Sequence, residues 1–545
     1  MRIALCQLNP TVGDIAGNSA KILQRLRQAE TAGAELAVFP EAALTGYPAL
    51  DLWQDRSFID ANLSALRRLA ELTGDTGCLL GYIDWNRSGK GKPLHNCAAL
   101  LHRGKIAAVR AKSLLPTYDV FDEARYFEPA QDNTPVLFKG TKLGITICED
   151  IWHEPIEFRR RLYSKNPVER LLKGGAEILL NISASPFFAD KPRARYQALS
   201  KKAAAHKMPI FYCNLSGGND EIVFDGNSLV LGPKGQLWAR GTAFGEDFLL
   251  VNTQNPPAPL AWKDSGTIAQ THDALVCGIR DFLAKCGFSK AVLGLSGGVD
   301  SAVVCALAAQ ALGPENVIGV LLPSQYTSAA SRQDARVLAR NLGIRFETIG
   351  IDGTVGALRK GLKPLFGNLP QDTTEQNLQS RVRGTLLMAL SNKFRALLLT
   401  TGNKAELATG YCTLYGDMCG GLNVLGDVHK DMVYSLAKHI NRNGPVIPAR
   451  TITRAPTAEL KPGQKDQDDL PPYPVLNRIV RAYIEDEKTA EEISGPGISR
   501  RLAVSMLGRI DRNEFKRRQA APCIKTTARA FGAGRKMPVA RGYHR

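Results

Sequence analysis

The chain has 545 residues, of which 44% are hydrophobic and 22% charged, the composition of an ordinary soluble globular protein with an ample core. Its formal net charge of +18 suits either nucleic acid or an anionic small molecule. Because the sequence carries no nucleic-acid-binding signature and few aromatic residues among its basic ones, we expect anionic small-molecule substrates and no nucleic-acid partner.

The sequence also argues against a membrane or secreted protein. No apolar stretch approaches the roughly 18 residues needed to span a bilayer, and Arg2 leads straight into a strand-like run. The 11 cysteines are scattered without any Cys-x-x-Cys pair, which favours reduced thiols over disulfides or a zinc site. We therefore expect no membrane partner and a cytoplasmic location.

Two α/β halves follow one another along the chain. In the first half, the strand candidates are residues 3–7, 36–39, 143–147, 178–181 and 210–214. Residues 252–259 then break the periodicity as a linker does, so we predict domains at residues 1–255 and 256–545. In the second half, the strand candidates are residues 291–294, 317–322, 346–349 and 396–400. Their alternation with helical patterns predicts a parallel, doubly wound sheet with ligands at the carboxyl ends of its strands.

Three polar residues of the first half lie at or after strand-like runs: Glu41, Lys112 and Cys148. Such a set can cleave an amide. Glu41 would take the thiol proton, Cys148 would attack the carbonyl, and Lys112 would stabilise the thiolate and the oxyanion. Taken singly, each residue has an ordinary explanation, because strand cysteines are usually core, lysines are usually solvated and Pro-Glu turns are common.

A glycine-rich segment of the second half lies between a strand-like run and a helix-like run. Its residues are Gly294, Leu295, Ser296, Gly297, Gly298, Val299, Asp300 and Ser301. Glycines allow the backbone to approach a polyphosphate, while hydroxyls and a helix N-terminus donate hydrogen bonds to it. The lysine of a Walker loop is missing, and the segment resembles the pyrophosphate loop of enzymes that cut ATP between the α- and β-phosphates. A glycine-rich turn without a ligand is the alternative.

The contexts of Glu41, Lys112 and Cys148 resemble the carbon–nitrogen hydrolase (nitrilase) family, which uses a Glu-Lys-Cys triad. Joined to the pyrophosphate loop, they make essentially the whole chain similar to the glutamine-dependent NAD synthetases. Further matching stretches are residues 7–14, 118–127, 376–381, 401–406, 411–417 and 517–522. The resemblance implies an N-terminal αββα sandwich and a C-terminal doubly wound, Rossmann-like ATP pyrophosphatase domain.

The resemblance also implies roles for individual residues. Those implied to bind glutamine are Tyr118, Ser185 and Lys191, with Glu123 as a second carboxylate that orients Lys112. Those implied to bind ATP are residues 294–301 and Thr401, and those implied to bind deamido-NAD are Asn377, Glu406 and Lys525. Asp300 and Glu406 would hold Mg²⁺. The alternatives are an exposed glutamate at 123 and a simple helix cap at 401–406; Cys523 also stands where the family often has glycine.

The implied reaction is the amidation of deamido-NAD (nicotinate adenine dinucleotide). ATP adenylylates the carboxylate of deamido-NAD and pyrophosphate is released. Ammonia, which is released from glutamine together with glutamate, then displaces AMP to give NAD. A homo-oligomer, with an octamer suspected, is implied as well. Other glutamine-fed ATP ligases use a Cys-His-Glu glutaminase or a cysteine after the initiator methionine, where this chain has Arg2. A tRNA-modifying ATPase would leave the first half without a role, and a non-catalytic binding protein is the remaining alternative.

Overall fold

The computed structural model describes residues 1–131, 133–152 and 162–542. Within these ranges the chain forms two compact units, Met1–Ser265 and Gly266–Arg545. Every helix found in them is too short or too polar to cross a membrane.

The first unit combines long strands with helices at its outer layers. Its strands are β1 (Arg2–Gln7), β2 (Leu36–Val38), β3 (Gly77–Trp85), β4 (Leu94–His102), β5 (Lys105–Ala111), β6 (Val136–Phe138), β7 (Thr141–Ile147), β8 (Ile178–Ser183), β9 (Ile210–Asn214), β10 (Ser216–Asn219), β11 (Ile222–Asp225), β12 (Leu229–Leu231), β13 (Leu237–Arg240) and β14 (Asp247–Asn252). Its helices are α1 (Ile15–Thr31), α2 (Arg56–Glu71), α3 (Pro167–Lys173) and α4 (Lys191–His206). They build one sheet of order β14-β1-β2-β3-β4-β5, another of order β13-β12-β9-β8-β7-β6, and the hairpin β10-β11.

Both sheets of this unit are apolar on both faces. In β1, Ile3 and Leu5 pack into a cluster that holds Ile145 and Leu180 of the other sheet. Their neighbour Ala4 points to the opposite face, where it meets α1 and α2 through residues such as Ile22. The outer face of the second sheet packs against α3 and α4 in the same way. The order helix, sheet, sheet, helix is the predicted αββα sandwich, and this prediction is confirmed.

The first unit extends past its last strand. The main chain of Leu260 donates to Leu237 O at 2.8 Å. The Trp262 ring stacks on Tyr196, with ring centroids 4.8 Å apart, and the Arg240 guanidinium lies 3.8 Å from the Trp262 ring centroid. These contacts hold the residues that follow the proline-rich break predicted at 252–259. A local pattern could not reveal them, because they depend on side chains distant in sequence.

A buried ion pair joins α4 to β11 inside the first unit. One guanidinium nitrogen of Arg195 lies 2.7 Å from each carboxylate oxygen of Asp225, and the side chains are 1% and 0% exposed. Tyr212 accepts a further hydrogen bond from Arg195 at 3.2 Å. A buried charge whose partner is removed keeps its desolvation cost, so removal of either partner alone should destabilise the unit.

Replacing Asp225 by asparagine should lower the free energy of unfolding of the first unit by about 3–5 kcal/mol, because it leaves the Arg195 charge buried and uncompensated. Tryptophan fluorescence during urea unfolding reports this unit selectively, since all 5 tryptophans of the chain lie within Met1–Ser265. Glu169→Gln is the control, because its ion pair with Lys173 is exposed and should contribute about 1 kcal/mol or less. Equal midpoints for the two variants would contradict the prediction.

The second unit is built around one parallel sheet. Its strands are β15 (Ala291–Gly294), β16 (Val317–Leu321), β17 (Arg345–Thr348), β18 (Leu397–Thr400) and β19 (Leu422–Asn423). Its helices are α5 (Thr267–Lys285), α6 (Val299–Leu312), α7 (Ala329–Leu342), α8 (Asp352–Phe366), α9 (Thr373–Phe394), α10 (Lys404–Thr409), α11 (Lys430–Ile440), α12 (Ala449–Thr453), α13 (Tyr473–Ile484), α14 (Ala490–Ile493), α15 (Arg500–Arg512) and α16 (Glu514–Arg517).

The strand order is β17-β16-β15-β18-β19, and all neighbouring strands are parallel. The chain therefore winds outward from β15 to β17 and then crosses to β18 on the other side. In a doubly wound sheet, the crevice where the strand order reverses is the ligand site. Here it lies at the carboxyl ends of β15 and β18, and the doubly wound fold predicted from sequence is confirmed.

Every strand predicted from the sequence is present within a residue or two of its predicted bounds. The sequence pattern missed β3 to β6, β10 to β14 and β19. β4 and β5 are rich in alanine, a weak strand former, and β19 has only two residues. Their pairing in the sheet, and not their local composition, defines these strands.

Candidate active sites

Cys148 directly follows β7 and opens a single 3₁₀ turn, Cys148–Ile151. Its φ of 45° lies in the left-handed region, which a side chain other than glycine rarely adopts. Such strain is typical of functional sites, where the surrounding structure holds a residue in an uncommon conformation. The Asn181 side chain contributes to this hold by donating to Cys148 O at 3.3 Å.

Lys112 follows β5 and lies between two carboxylates. Its ammonium is 2.7 Å from Glu41 Oε1 and 2.7 Å from Glu123 Oε1. The three side chains are 0% to 1% exposed. The expectation that Glu123 contacts Lys112 agrees with this geometry, and the alternative of an exposed glutamate is wrong.

Glu41, which follows β2, is held by two further donors. Asn96 Nδ2 donates to Glu41 Oε1 at 2.7 Å, and the main chain of Ala184 donates to Glu41 Oε2 at 2.9 Å. The hydroxyl of Tyr47 donates to Glu123 Oε1 at 2.8 Å. The four segments that meet here follow β2, β5, β7 and β8, so strand ends from both sheets build the site.

The charges of this cluster set its protonation. Burial raises the pKa of the Cys148 thiol well above its ordinary value, Glu41 raises it further, and Lys112 opposes both. Burial would lower the pKa of Lys112, but Glu123 and Glu41 outweigh it and raise that pKa. Burial raises the pKa of Glu123 to about 7 despite Lys112. Cys148 is therefore a neutral thiol at rest, and a base beside it is needed for attack.

The residues implied to bind glutamine occupy different positions around this cluster. Tyr118 donates its hydroxyl to the carboxylate of Glu149, the residue after Cys148, at 3.0 Å from each oxygen. Ser185 lies after β8, where its main chain donates to Asn214 Oδ1 at 2.9 Å. Lys191 begins α4, and its ammonium lies 5.0 Å from the Phe188 ring centroid.

Sequence reasoning missed several residues of this site: Tyr47, Asn96, Glu149 and Tyr163, whose hydroxyl donates to Glu149 at 3.0 Å. Glu149 could have been noticed, because it stands directly beside the candidate nucleophile. The others are remote in sequence and carry no local signal.

In the second unit, residues 294–301 form the turn from β15 into α6. The hydroxyls of Ser296 and Ser301 lie 3.0 Å apart, and the Gly298 main chain donates to Ser296 Oγ at 3.1 Å. Gly297 has a φ of 81°, and a Cβ there would collide with the main-chain oxygen of Ser331 in α7. Gly297 is thus required for packing within the protein, whereas Gly298 leaves the loop open toward the crevice.

A cavity of about 300 Å³ lies at the switch point of the sheet. All residues of the loop except Gly297 line it, and so do Thr401 and Glu406. Charged residues of the lining for which the sequence analysis predicted no role are Arg383, Asp417, Lys430, Arg454, Glu459 and Asp466. This size and mixture of apolar and convergent polar groups are typical of a small-molecule site.

The charged groups of the cavity are held close together. Asp300 accepts hydrogen bonds from the Lys430 ammonium and from Asn403 Nδ2, the latter at 3.1 Å. Glu406 Oε1 lies 3.9 Å from Lys430 Nζ. Burial, together with the Asp300 charge, raises the pKa of Glu406 to about 8. The two acidic side chains share one ammonium, and a bound cation would favour the charged form of Glu406.

The structure places Asn377 and Lys525 outside the lining of this cavity. Asn377 Oδ1 accepts the Thr413 hydroxyl at 2.8 Å. Lys525 is 1% exposed, and its ammonium donates to Thr527 O at 2.6 Å and to Ala528 O at 2.8 Å. The cysteine at 523 fits: its main chain forms a parallel bridge with Asn423, and its sulfur occupies space left free because residue 426 is glycine.

A buried polar network fixes the segments that carry Glu406 and Lys430. The ammonium of Lys404 lies 2.9 Å from Asp427 and 2.8 Å from Glu485, and His429 lies 2.7 Å from Glu485. Burial would raise the pKa of Glu485, but His429 and Lys404 lower it to about 2. Glu485 is therefore charged at neutral pH, and its contacts with Lys404 and His429 anchor the starts of α10 and α11.

Within the residues that the structure describes, no group of three or more His, Cys, Asp or Glu side chains is arranged to bind a metal ion. Mg²⁺ in proteins commonly uses one or two carboxylates together with phosphate oxygens and water. Asp300, within the loop 294–301, and Glu406 offer two carboxylates in the lining of the same cavity and fit that donor set.

Comparison with known proteins gives matches over both units. The carbon–nitrogen hydrolase family matches residues 2–255, and the NAD synthase family matches residues 271–520. The glutamine-dependent NAD(+) synthetase of Synechocystis sp. is 44% identical over 555 residues, with 99% of each chain covered. That of Thermotoga maritima is 42% identical over 582 residues, covering 99% of this chain and 98% of the relative.

Solved structures match as well. The glutamine-dependent NAD+ synthetase of Acinetobacter baumannii, determined with adenosine diphosphate, is 38% identical with a TM-score of 0.79, over 99% of this chain and 98% of that one. The structure from Cytophaga hutchinsonii is 22% identical with a TM-score of 0.82 over the same shares, and it supports the fold alone.

Proposed function

Because the chain belongs to the glutamine-dependent NAD(+) synthetase family, we propose a specific division of labour among its residues. The chain is a carbon–nitrogen ligase that amidates deamido-NAD with ATP and uses glutamine as amide donor. We assign the glutaminase reaction to the first unit and the ATP-dependent reaction to the second. The observation that carries this assignment is the convergence of Glu41, Lys112 and Cys148 at the carboxyl ends of strands from two sheets.

In the first unit, Glu41 takes the proton of Cys148 as the sulfur attacks the carboxamide carbon of glutamine. The C–N bond then breaks, the nitrogen leaves as ammonia with that proton, and a thioester remains on Cys148. Water activated by Glu41 hydrolyses the thioester to glutamate. Lys112 lies where its charge stabilises both the thiolate and the oxyanion, and Glu123 fixes its position at 2.7 Å.

Tyr118, Ser185 and Lys191 are proposed to bind glutamine. Tyr118 contacts Glu149, the neighbour of the nucleophile, and Ser185 follows Ala184, whose main chain donates to Glu41. Lys191 offers a positive charge for the α-carboxylate of the substrate. These roles keep the reacting carboxamide directed at Cys148.

In the second unit, the carboxylate of deamido-NAD attacks the α-phosphorus of ATP, and pyrophosphate leaves. Ammonia then attacks the acyl adenylate, and AMP leaves. Residues 294–301 and Thr401 line the cavity and are proposed to bind ATP. Asn377, Glu406 and Lys525 are proposed for deamido-NAD; Lys525 must then release the two main-chain acceptors that it now contacts.

We also propose that Asp300 and Glu406 hold Mg²⁺, which would neutralise phosphate charge as pyrophosphate leaves. The two carboxylates line the ATP cavity and share the single ammonium of Lys430. Lys430 then remains available to the phosphates when the metal balances the carboxylates.

Replacing Glu406 by glutamine should raise the Mg²⁺ concentration needed for half-maximal NAD synthesis by about 10-fold or more, since loss of a supporting group around a metal has effects of that size. The loss should be the same with glutamine and with ammonium chloride. Binding of Mn²⁺ with ATP, followed by electron paramagnetic resonance, gives a second readout. Glu347→Gln, an exposed carboxylate on β17, is the control, and unchanged Mn²⁺ binding in the Glu406 variant would contradict the assignment.

We propose a homo-oligomer as well, with an octamer as the expected form. Three large apolar side chains on α8 or just after it, Leu358, Leu365 and Leu369, are 42%, 80% and 74% exposed. Burial in an assembly would remove them from water. Light scattering should give a mass that is a multiple of 59.2 kDa. A monomer mass at micromolar concentration would reject the proposal.

One experiment tests the whole division of labour. The purified protein, with deamido-NAD, ATP and Mg²⁺, is assayed for NAD once with glutamine and once with ammonium chloride. Synthesis from both donors, with glutamate released only from glutamine, supports the assignment of two separable chemistries. Synthesis from ammonium chloride alone would remove the glutaminase role of the first unit.

A further inference from the structure

Asp150 is a buried carboxylate beside the glutaminase cluster to which the chemistry above gives no role. It stands two residues after Cys148 and is 1% exposed. Its Oδ1 accepts the main-chain N–H of Ser113 at 2.9 Å and of Leu114 at 2.8 Å, and its Oδ2 accepts that of Ile147 at 3.1 Å. Within the described residues it forms no ion pair, so its contacts are with the backbone.

These three donors flank two different catalytic residues. Ser113 and Leu114 directly follow Lys112, and Ile147 directly precedes Cys148. One carboxylate therefore joins the segment after β5 to the turn after β7. We propose that Asp150 is a positioning residue that sets the distance between Lys112 and the sulfur of Cys148; this inference rests on the glutaminase assignment made above.

The other main-chain hydrogen bonds of Lys112 do not lead to the segment that carries Cys148. Its main chain donates to Asn96 O at 2.8 Å and accepts from Ala130 at 2.8 Å. Asn96 in turn donates to Glu41, so it links the base to the lysine. Asp150 supplies the corresponding link from the lysine to the nucleophile. Together, Asn96 and Asp150 connect the segments that carry all three catalytic side chains.

The chemistry of the side chain matters for this role. A carboxylate can accept hydrogen bonds on both oxygens, whereas asparagine accepts on one and presents N–H donors on the other side. Burial raises the pKa of Asp150 to about 6, and the N–H groups of Ile147 and Leu114 oppose that rise. At neutral pH the group is therefore mostly ionised and accepts on both sides. In asparagine, the side-chain NH₂ group would face a main-chain N–H group, and one hydrogen bond would be lost.

The test is Asp150→Asn in the full-length enzyme. The turnover number with glutamine should fall about 100-fold, because a displacement of about 1 Å in a catalytic group has effects of that order. KM for glutamine should change by less than about 3-fold, since both oxygens of Asp150 are already bonded to main-chain N–H groups. NAD synthesis from ammonium chloride should stay within about 2-fold of wild type, because that reaction bypasses Cys148.

A second readout separates positioning from loss of structure. Iodoacetamide should alkylate Cys148 more slowly in Asp150→Asn, because Lys112 moves away and no longer favours the thiolate. The peptide that contains Cys148 is followed by mass spectrometry. Unfolding would instead expose the buried thiol and speed its alkylation, and tryptophan fluorescence would reveal it. Glu177→Gln is the control for loss of a bond from a carboxylate to the main chain: this exposed carboxylate accepts the Lys142 main chain at 2.8 Å near the opposite end of β7.

Different outcomes would contradict the glutaminase assignment and the positioning role of Asp150. If Cys148→Ala loses both nitrogen donors equally, the glutaminase assignment fails. If Cys148→Ala behaves as assigned but Asp150→Asn keeps its turnover number and alkylation rate, the role of Asp150 alone is overturned; a raised KM with unchanged turnover does the same. Should Asp150→Asn not fold, Asp150→Glu keeps the charge but shifts its oxygens by one methylene. A turnover number equal to wild type in that variant would also overturn the inference.

Discussion

Replacing Cys148 by alanine should abolish NAD synthesis from glutamine and leave synthesis from ammonium chloride largely intact. The thiol is needed only to release ammonia, and no other group at the site can replace a covalent nucleophile. The loss with glutamine should reach at least about 10³-fold in turnover number. Because Cys148 is buried beside Lys112, its removal also leaves the lysine paired with both glutamates, so the first unit should remain folded.

The measurement is NAD formation with each nitrogen donor, together with glutamate release. Cys78→Ala is the matched control, since Cys78 is equally buried at the second residue of β3 and has no role in the mechanism. Its rates should match wild type with both donors. Equal loss with both nitrogen donors in Cys148→Ala, under conditions where its tryptophan fluorescence is native, would refute a separate glutaminase site.

The strands that precede the candidate catalytic residues could be predicted from the sequence. Residues 36–39 and 143–147 are short, mainly apolar runs, and the structure has β2 and β7 there. Glu41 and Cys148 come shortly after these runs. A fully buried parallel strand reads as a continuous apolar run, so its end is visible without knowledge of its neighbours. The same holds for β15 and the phosphate loop.

The supporting residues could not be predicted, because sheet register decides their positions. Asn96 reaches Glu41 only because β4 pairs with β5 so that Cys97 lies opposite Ala111, which brings Asn96 beside Lys112. Asp150 meets Ser113 only across the two sheets. No local pattern encodes such pairings, since each depends on two segments that are distant in the chain.

Lys430, in the second unit, is another residue whose position could not be predicted from the sequence. In sequence it is an ordinary lysine at the start of a helix. In the structure it is 2% exposed at its side chain and contacts Asp300, more than a hundred residues earlier. A buried ammonium needs partners that offset its charge, but only the folded chain identifies them.

Replacing Asp300 by alanine should block NAD synthesis from glutamine and from ammonium chloride alike. Asp300 lies in the phosphate loop, holds Lys430 and is proposed to bind Mg²⁺, so its removal disturbs the groups that offset phosphate charge in the transition state. A loss of about 10²-fold or more is expected, the size found when one electrostatic contact to a transition state is removed. Alkylation of Cys148 by iodoacetamide should be unchanged, because the first unit is untouched.

The same assay decides which bond of ATP is broken. Wild-type enzyme should release AMP and pyrophosphate in amounts equal to the NAD formed, because an acyl adenylate is the activated species. Asp273→Asn, an exposed carboxylate on α5, is the control and should keep both rate and products. Primary formation of ADP and orthophosphate would overturn the adenylylation mechanism. The ATP site must serve both nitrogen donors. If Asp300→Ala lost only the glutamine-dependent reaction, the assignment of residues 294–301 to the ATP site would therefore be wrong.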